Sequence, residues 1–288
     1  MLTVQNVTKK FGSFTVLENI DLEFGSGVYG LLSPNGAGKT TLIKMLVTLL
    51  FPTSGKILFD GADIRTLGAS YREKLGYLPQ DFGYYRNCSP RQYLRYLGAL
   101  KGLEREAVEK RIDELLDLVN LSDVKDKKMK KFSGGMIQRV GIAQSMLNDP
   151  EILILDEPTA GLDPKERLRF RNIFTELSRN RTVILSTHII SDIESVANRV
   201  ILIKDHAIYC DTDRDSLSEI LENKVFEITV PHQKADSFKQ EYFILSKREE
   251  AGQTRFRFVC GKPEDLPAGA QPSLPSMEDV FLYVYREE

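Results

Sequence analysis

Cysteine and histidine are scarce in this chain: its 288 residues include three of each. Cys88, Cys210 and Cys260 are odd in number and widely separated, which excludes a disulfide framework and a paired-thiol zinc site. His188, His206 and His232 are equally scattered. Charge of one sign is also missing. With a formal net charge of −2, the chain has no global basic field of the kind that draws proteins to nucleic acid or anionic lipid, and no nucleic-acid partner is expected. Long hydrophobic runs are absent as well: Met45-Leu46-Val47 with Leu49-Leu50-Phe51 falls far short of the ~20 residues a membrane helix needs. The opening Met1-Leu2-Thr3-Val4-Gln5-Asn6 lacks the basic start and apolar run of a secretory signal, so the chain is expected to stay where it is made, with reduced thiols. Nothing is low-complexity, and 42% hydrophobic with 28% charged residues is ordinary for a globular protein.

What is present is a sizeable chain with room for a main domain and a smaller appendage. Val28 to Leu32, Ile152 to Leu155 and Thr182 to Leu185 are apolar runs without polar alternation, as in strands buried on both faces of a parallel sheet. Each run ends in polar or glycine-rich sequence, which describes an open α/β sheet with a ligand at the carboxyl ends of its strands. Ser89-Pro90 reads as an N-cap followed by proline at the first helical position, and Val108, Ile112, Leu115, Leu116 and Val119 recur at helical spacing. Residues from about 89 to 150 are therefore expected to form a helical insert. Beyond about residue 212, Val225 to Val230 and Arg255 to Val259 look like alternating strands, and Pro263, Pro267, Pro272 and Pro275 punctuate the end. This is a small α+β appendage, with a helix and linker expected within Asp213 to Asn223.

Asn35-Gly36-Ala37-Gly38-Lys39-Thr40-Thr41 follows a buried strand and precedes a helical run, Leu42 to Leu50, which is the context of a phosphate-binding P-loop. Successive backbone N–H groups and a helix N-terminus cradle phosphates, Lys39 adds positive charge, and the Thr40 hydroxyl can complete the coordination of Mg²⁺. Ser33 stands where that pattern expects glycine; at a positive φ, serine would cost about 1–3 kcal/mol. Ile152-Leu153-Ile154-Leu155-Asp156-Glu157 is a strand ending in two carboxylates. The first can hold Mg²⁺ and the second can polarise an attacking water.

Phe132-Ser133-Gly134-Gly135-Met136-Ile137-Gln138-Arg139 resembles the signature sequence of ABC ATPases. The family's other motifs follow in order: Gln80 matches the Q-loop, Ala160-Gly161-Leu162-Asp163 the D-loop, and His188 the switch histidine. The resemblance covers about residues 1 to 210. It implies an α/β fold: a P-loop ATPase core with a parallel central sheet, an antiparallel N-terminal β subdomain and a helical insert, plus a small C-terminal α+β domain. Expected domains are 1–212 for the ATPase and 213–288 for a linker helix and accessory domain. It also implies two ATP molecules sandwiched between two such subunits, with Ser133, Gly134 and Gly135 facing the γ-phosphate held by the opposing P-loop. A second copy of the chain is favoured over a different ATPase subunit.

By the same resemblance ATP and Mg²⁺ are the cofactors, with nucleotide contacts from Phe11, Ser33, Asn35, Gly36, Ala37, Gly38, Lys39, Thr40, Thr41 and Asp163. Thr40, Gln80 and Asp156 surround the metal, Glu157 is the base, and Gln80 and His188 complete the reaction centre. Phe11 matches the aromatic that stacks on adenine, with Phe14 as a nearby competitor and burial in the core as the plain alternative. Phe82, Tyr84 and Tyr85 lie where the family docks its membrane partner, or else pack under the insert. Phe132 and Met136 replace the commoner leucine and glutamine of the signature. Lys125, Lys127, Lys128, Lys130 and Lys131 read as a solvated face. Pro275 to Leu282 resembles the closing segment of ATPase subunits from bacterial exporters with separate membrane subunits. The expected function is a transport ATPase at the cytoplasmic face of the membrane, bound there through transmembrane subunits. A soluble, non-transport ABC ATPase and a regulatory subunit with weak turnover are the alternatives.

Overall fold

The computed structural model describes residues 1–178, 180–250 and 252–286. The chain divides into two compact units, Met1–Asp211 and Thr212–Glu288.

The first unit opens with an antiparallel hairpin, β1 (Leu2–Phe11) and β2 (Phe14–Phe24), and continues into β3 (Gly27–Leu32) and helix α1 (Lys39–Leu46). β4 (Ser54–Phe59) and the short β5 (Ala62–Asp63) complete a four-stranded sheet in the order β2-β1-β4-β5. Two short helices, α2 (Ile64–Leu67) and α3 (Ala69–Glu73), lead to β6 (Leu75–Leu78). The helical segment follows, with α4 (Pro90–Leu100), α5 (Arg105–Leu118) and α6 (Gly134–Ser145). α4 starts where Ser89 and Gln92 form a reciprocal capping box and Pro90 fills the first turn. The chain then alternates strand and helix: β7 (Ile152–Asp156), α7 (Pro164–Leu177), β8 (Thr182–Thr187), α8 (Ile190–Val196), β9 (Arg199–Lys204) and β10 (Ala207–Asp213).

The central sheet has six strands in the order β10-β9-β3-β8-β7-β6, and the pairs β9/β3, β3/β8, β8/β7 and β7/β6 are all parallel. Every residue of β7 and β8 is buried, as strands covered on both faces must be. Sequence order differs from spatial order, so β3, β8 and β7 lie side by side and discharge their following loops at one edge. The core that holds this edge runs from the hairpin through α1 to the sheet: Leu17, Leu42, Ile43, Leu46, Ile154, Ile184 and Ile201 belong to one buried cluster.

Two expectations shift. The helix after the P-loop stops at Leu46, not Leu50, because Thr48 adopts a positive φ of 61° that no α-helix accommodates. The stretch Asp213 to Asn223 contains a 3₁₀ segment, Leu217–Leu221, in place of an α-helix.

The second unit is an antiparallel sheet of β11 (Val225–Pro231), β12 (Phe243–Glu250), β13 (Gln253–Val259) and β14 (Gln271–Pro272), ordered β12-β13-β11-β14. Helix α9 (Ala235–Glu241) covers one face, where Phe238 stacks on Phe256 with ring centroids 5.1 Å apart and meets Phe258 edge-on. Helix α10 (Met277–Val284) is tied in by Asp279, whose Oδ2 pairs with Arg257 Nη2 at 2.6 Å while the same carboxylate caps the helix.

The helical segment approaches the central sheet closely at Gly76 in β6. A Cβ there would lie 2.2 Å from the backbone oxygen of Ser145 at the end of α6. Gly76→Ala is therefore expected to lower stability by about 2 kcal/mol, because a carbonyl cannot swing aside as a side chain can. Urea denaturation followed by circular dichroism checks this; an unchanged midpoint would show that α6 does not press on β6.

Candidate functional site

The loop between β3 and α1 has the backbone that a tight anion cradle demands. Gly36 and Gly38 hold φ values of 89° and 107°, which a residue with a Cβ rarely adopts. At Gly38 space forbids a side chain as well, since a Cβ would come 2.7 Å from Leu17 Cδ2. Gly38 caps α1 without any side-chain hydrogen bond, so the N–H groups of the first turn point out of the helix toward the loop. Lys39 is 6% exposed; its ammonium donates to the carbonyls of Ser33 and, at 3.1 Å, Pro34. Burial pushes the Lys39 pKa below its ordinary value, and the carboxylates of Glu157 and Asp156 act the other way.

Ser33 does not have a positive φ, so the strain considered for serine at this position does not arise. It is fully buried and its hydroxyl serves the sheet, donating to the Leu32 carbonyl at 2.6 Å and accepting from the Ile203 amide at 3.0 Å. What Ser33 gives the loop is its carbonyl, which receives Lys39.

A cavity of about 140 Å³ opens over this loop, lined by Val16, Asn35, Gly36, Gly38, Lys39, Thr40, Thr41, Gln80 and Glu157. Residues from four places in sequence thus converge on one concavity. At the end of β7, Asp156 is 1% exposed, and the Ser186 hydroxyl of β8 donates to its Oδ1. Burial pushes the Asp156 carboxyl above its usual range and Glu157 adds to this, while hydrogen bonds from Ser186 and Thr40 and the charge of Lys39 oppose it. Glu157 is 5% exposed and sits at a φ of 49°, a left-handed conformation that an L-residue keeps only when its surroundings hold it. Its amide donates to the Ser186 carbonyl at 3.0 Å, and His188 Nδ1 lies 3.0 Å from each of its carboxylate oxygens.

Thr40, Asp156 and Gln80 offer a hydroxyl, a carboxylate and an amide oxygen around the loop. All-oxygen donors suit a hard divalent cation such as Mg²⁺, and Asp156 is a buried carboxylate within reach of Thr40. The residues fit the ion.

The other sequence-derived candidates lie elsewhere. Ser133, Gly134, Gly135 and Asp163 do not line the cavity. Ser133 caps α6 and accepts the Met136 amide at 3.2 Å, so position 136 contributes its backbone to the cap whatever its side chain. Asp163 caps α7. Phe11 is 50% exposed and Phe14 62% exposed at the β1–β2 turn, and it is Val16 of β2 that forms the cavity wall on that side. Tyr85 is 54% exposed, whereas the Phe82 ring lies on Gly141 of α6, where a Cβ would come 2.6 Å from it. Lys127, Lys128, Lys130 and Lys131 are exposed, and Lys125 pairs with Asp113 at 2.9 Å. Sequence reading passed over Ser186 and Val16; the hint for Ser186 was its place at the polar end of the third buried strand.

A glycine-turned loop with a buried lysine, facing two carboxylates at the end of β7 in the same parallel sheet, defines a P-loop nucleotide site. A sequence profile of the ABC transporter family matches residues 17–160. The ABC transporter ATP-binding protein YxlF of Bacillus subtilis is 35% identical over 231 residues, spanning 80% of this chain and 77% of the relative. The Nod factor export ATP-binding protein I of Burkholderia lata is 32% identical over 290 residues, spanning 96% of this chain and 94% of that protein. Among solved structures, a dimeric bacterial ABC transporter cassette matches with a TM-score of 0.67 at 27% identity, covering 74% of this chain and 98% of that one. The chain belongs to the ABC transporter family and carries its ATP-binding ATPase domain. Among the described residues no helix is long and apolar enough to cross a membrane.

Restoring the pattern's glycine at position 33 tests the reading of that residue. Ser33→Gly removes the acceptor of a buried amide and is expected to cost about 1–2 kcal/mol of stability. ATP affinity, measured by calorimetry, should stay within about twofold because no phosphate-facing group changes. A tighter-binding variant of unaltered stability would overturn this account.

Proposed function

We propose that this protein is the ATPase subunit of an exporter whose membrane-spanning subunits are separate chains, and that the Met1–Asp211 unit carries out Mg²⁺-dependent ATP hydrolysis. The observation that carries the reading is the convergence of the Lys39 loop with the Glu157–His188 pair at the ends of three adjacent strands, β3, β7 and β8. The loop amides and Lys39 bind the phosphates, with Phe11 and Val16 on the side of the base. Thr40, Gln80 and Asp156 would hold Mg²⁺, which would supply the positive charge that lets a polyphosphate sit beside two carboxylates. Glu157 takes the proton of the attacking water, and His188 first holds the carboxylate and then contacts the γ-phosphate.

Ser133 to Gly135 lie outside the cavity, so their anion-facing helix end serves the nucleotide of a second subunit. The solved relative described as dimeric supports this arrangement. Exposed Tyr85 with Tyr96, ring centroids 5.5 Å apart, offers an aromatic surface for the membrane subunits. Export is supported by the Nod factor export relative, whose likeness extends across the second unit. Attachment to the cytoplasmic face of the membrane follows from such partners.

Lys39→Ala is expected to abolish measurable ATP binding, and Glu157→Gln to retain ATP while slowing hydrolysis by about 10²–10³-fold. The loaded Glu157→Gln protein should accumulate as a dimer on gel filtration. Adding Ser133→Asp should return it to monomer: aspartate still caps α6 but sets a negative charge against the partner's phosphate. Gly135→Asp is a poorer probe, since a Cβ at Gly135 would already press on the Glu166 carboxylate at 2.9 Å. Wild-type turnover in Glu157→Gln would remove that residue from the role of base.

A further inference from the structure

Glu157 and His188 stand on different loops, after β7 and after β8, and their contact is the outer of two links between those loops. The His188 side chain is 46% exposed, so this link is open to solvent. A second link lies beneath it. Thr159, two residues beyond Glu157 in the turn toward Asp163, is 1% exposed; Asp192, four residues beyond His188 in the first turn of α8, is 2% exposed. The Thr159 hydroxyl donates to Asp192 Oδ2. The other carboxylate oxygen, Oδ1, is buried with no hydrogen-bond partner among the described residues.

A buried carboxylate with one oxygen unserved is costly, and an apolar side chain would fill the same space at less expense. The bond it does make joins two buried side chains, whereas the outer link has a half-exposed partner in His188. Two neighbouring features depend on the loops being held. Glu157 keeps its left-handed φ of 49°, which needs support from both sides. On α7, Arg171 Nη2 donates to the Ser191 carbonyl at 2.9 Å, fastening the helix after the Glu157 loop to the residue preceding Asp192.

We propose that Thr159 and Asp192 are positioning residues of the ATPase: their bond keeps the Glu157 and His188 loops in register while the outer Glu157–His188 contact is exchanged for substrate. Neither residue lines the cavity over the Lys39 loop. The inference rests on the assignment of Glu157 and His188 to the reaction centre.

The test is steady-state ATP hydrolysis by the full chain, with nucleotide affinity measured separately. Thr159→Val keeps the shape and removes the donor; it is expected to lower kcat about tenfold and leave ATP affinity within about twofold. Thr159→Ser returns the hydroxyl and should recover most of the rate. The double variant Thr159→Val with Asp192→Ala should be no slower than the slower single variant, because both remove one bond. Wild-type kcat in Thr159→Val overturns the proposal, as does a loss that Thr159→Ser fails to rescue or one shared equally by kcat and ATP affinity. Glu157→Gln run in parallel separates the two readings. If it hydrolyses ATP normally, the reaction centre is wrong and the tether falls with it; if it is inactive while Thr159→Val is unimpaired, the tether alone is wrong.

Discussion

The parallel pairing of β3 with β8 and of β8 with β7 is the constraint on which the site depends. Leu32 stands opposite Thr187 and Asp156 opposite Ser186, so the three strands end level with one another. Parallel strands buried on both faces cannot slip by one residue without turning every side chain to the other face. Register in the core therefore fixes register at the edge, and the Lys39 loop, Asp156, Glu157 and His188 arrive together although they are far apart in sequence. Ser186, on the last rung between β7 and β8, ties this edge together, since its hydroxyl donates to Asp156 and its carbonyl accepts the Glu157 amide.

The same edge concentrates opposed charges where water is scarce. Burial depresses the Lys39 pKa and raises that of Asp156, so each charge is held against desolvation by its neighbours. The loop amides and Lys39 thus share one edge of the sheet with the oxygen groups of Thr40, Gln80 and Asp156.

Much of this was legible in sequence because it is written in runs and punctuation. Apolar segments that lack alternation could only be buried strands, and the polar residues just beyond them marked the edge where a ligand meets the sheet. The Ser89-Pro90 helix start was equally local. What could not be read is contact between distant ordinary residues. Ser186 reaches Glu157 across 29 positions and Thr159 reaches Asp192 across 33, and nothing in a serine or a threonine announces such a partner. Ser33 shows the opposite failure. A pattern built on glycine flags it as a defect, but the backbone there does not need φ > 0 and the hydroxyl has a task in the sheet. Thr48 ended α1 early because apolar periodicity alone carries no signal for a left-handed residue.

The two links between the Glu157 and His188 loops differ in what it takes to break them. When the half-exposed imidazole leaves, it is rehydrated, and the Glu157 carboxylate it leaves still faces the cavity. Separating Thr159 from Asp192 would strand a buried carboxylate with no donor at all, a far larger penalty. On the proposal above, the Thr159–Asp192 bond holds the two loops together while the side chains at the cavity change partners. For the proposed reaction, in which Glu157 and His188 must keep a set spacing, such a tether would let His188 change partners without displacing Glu157.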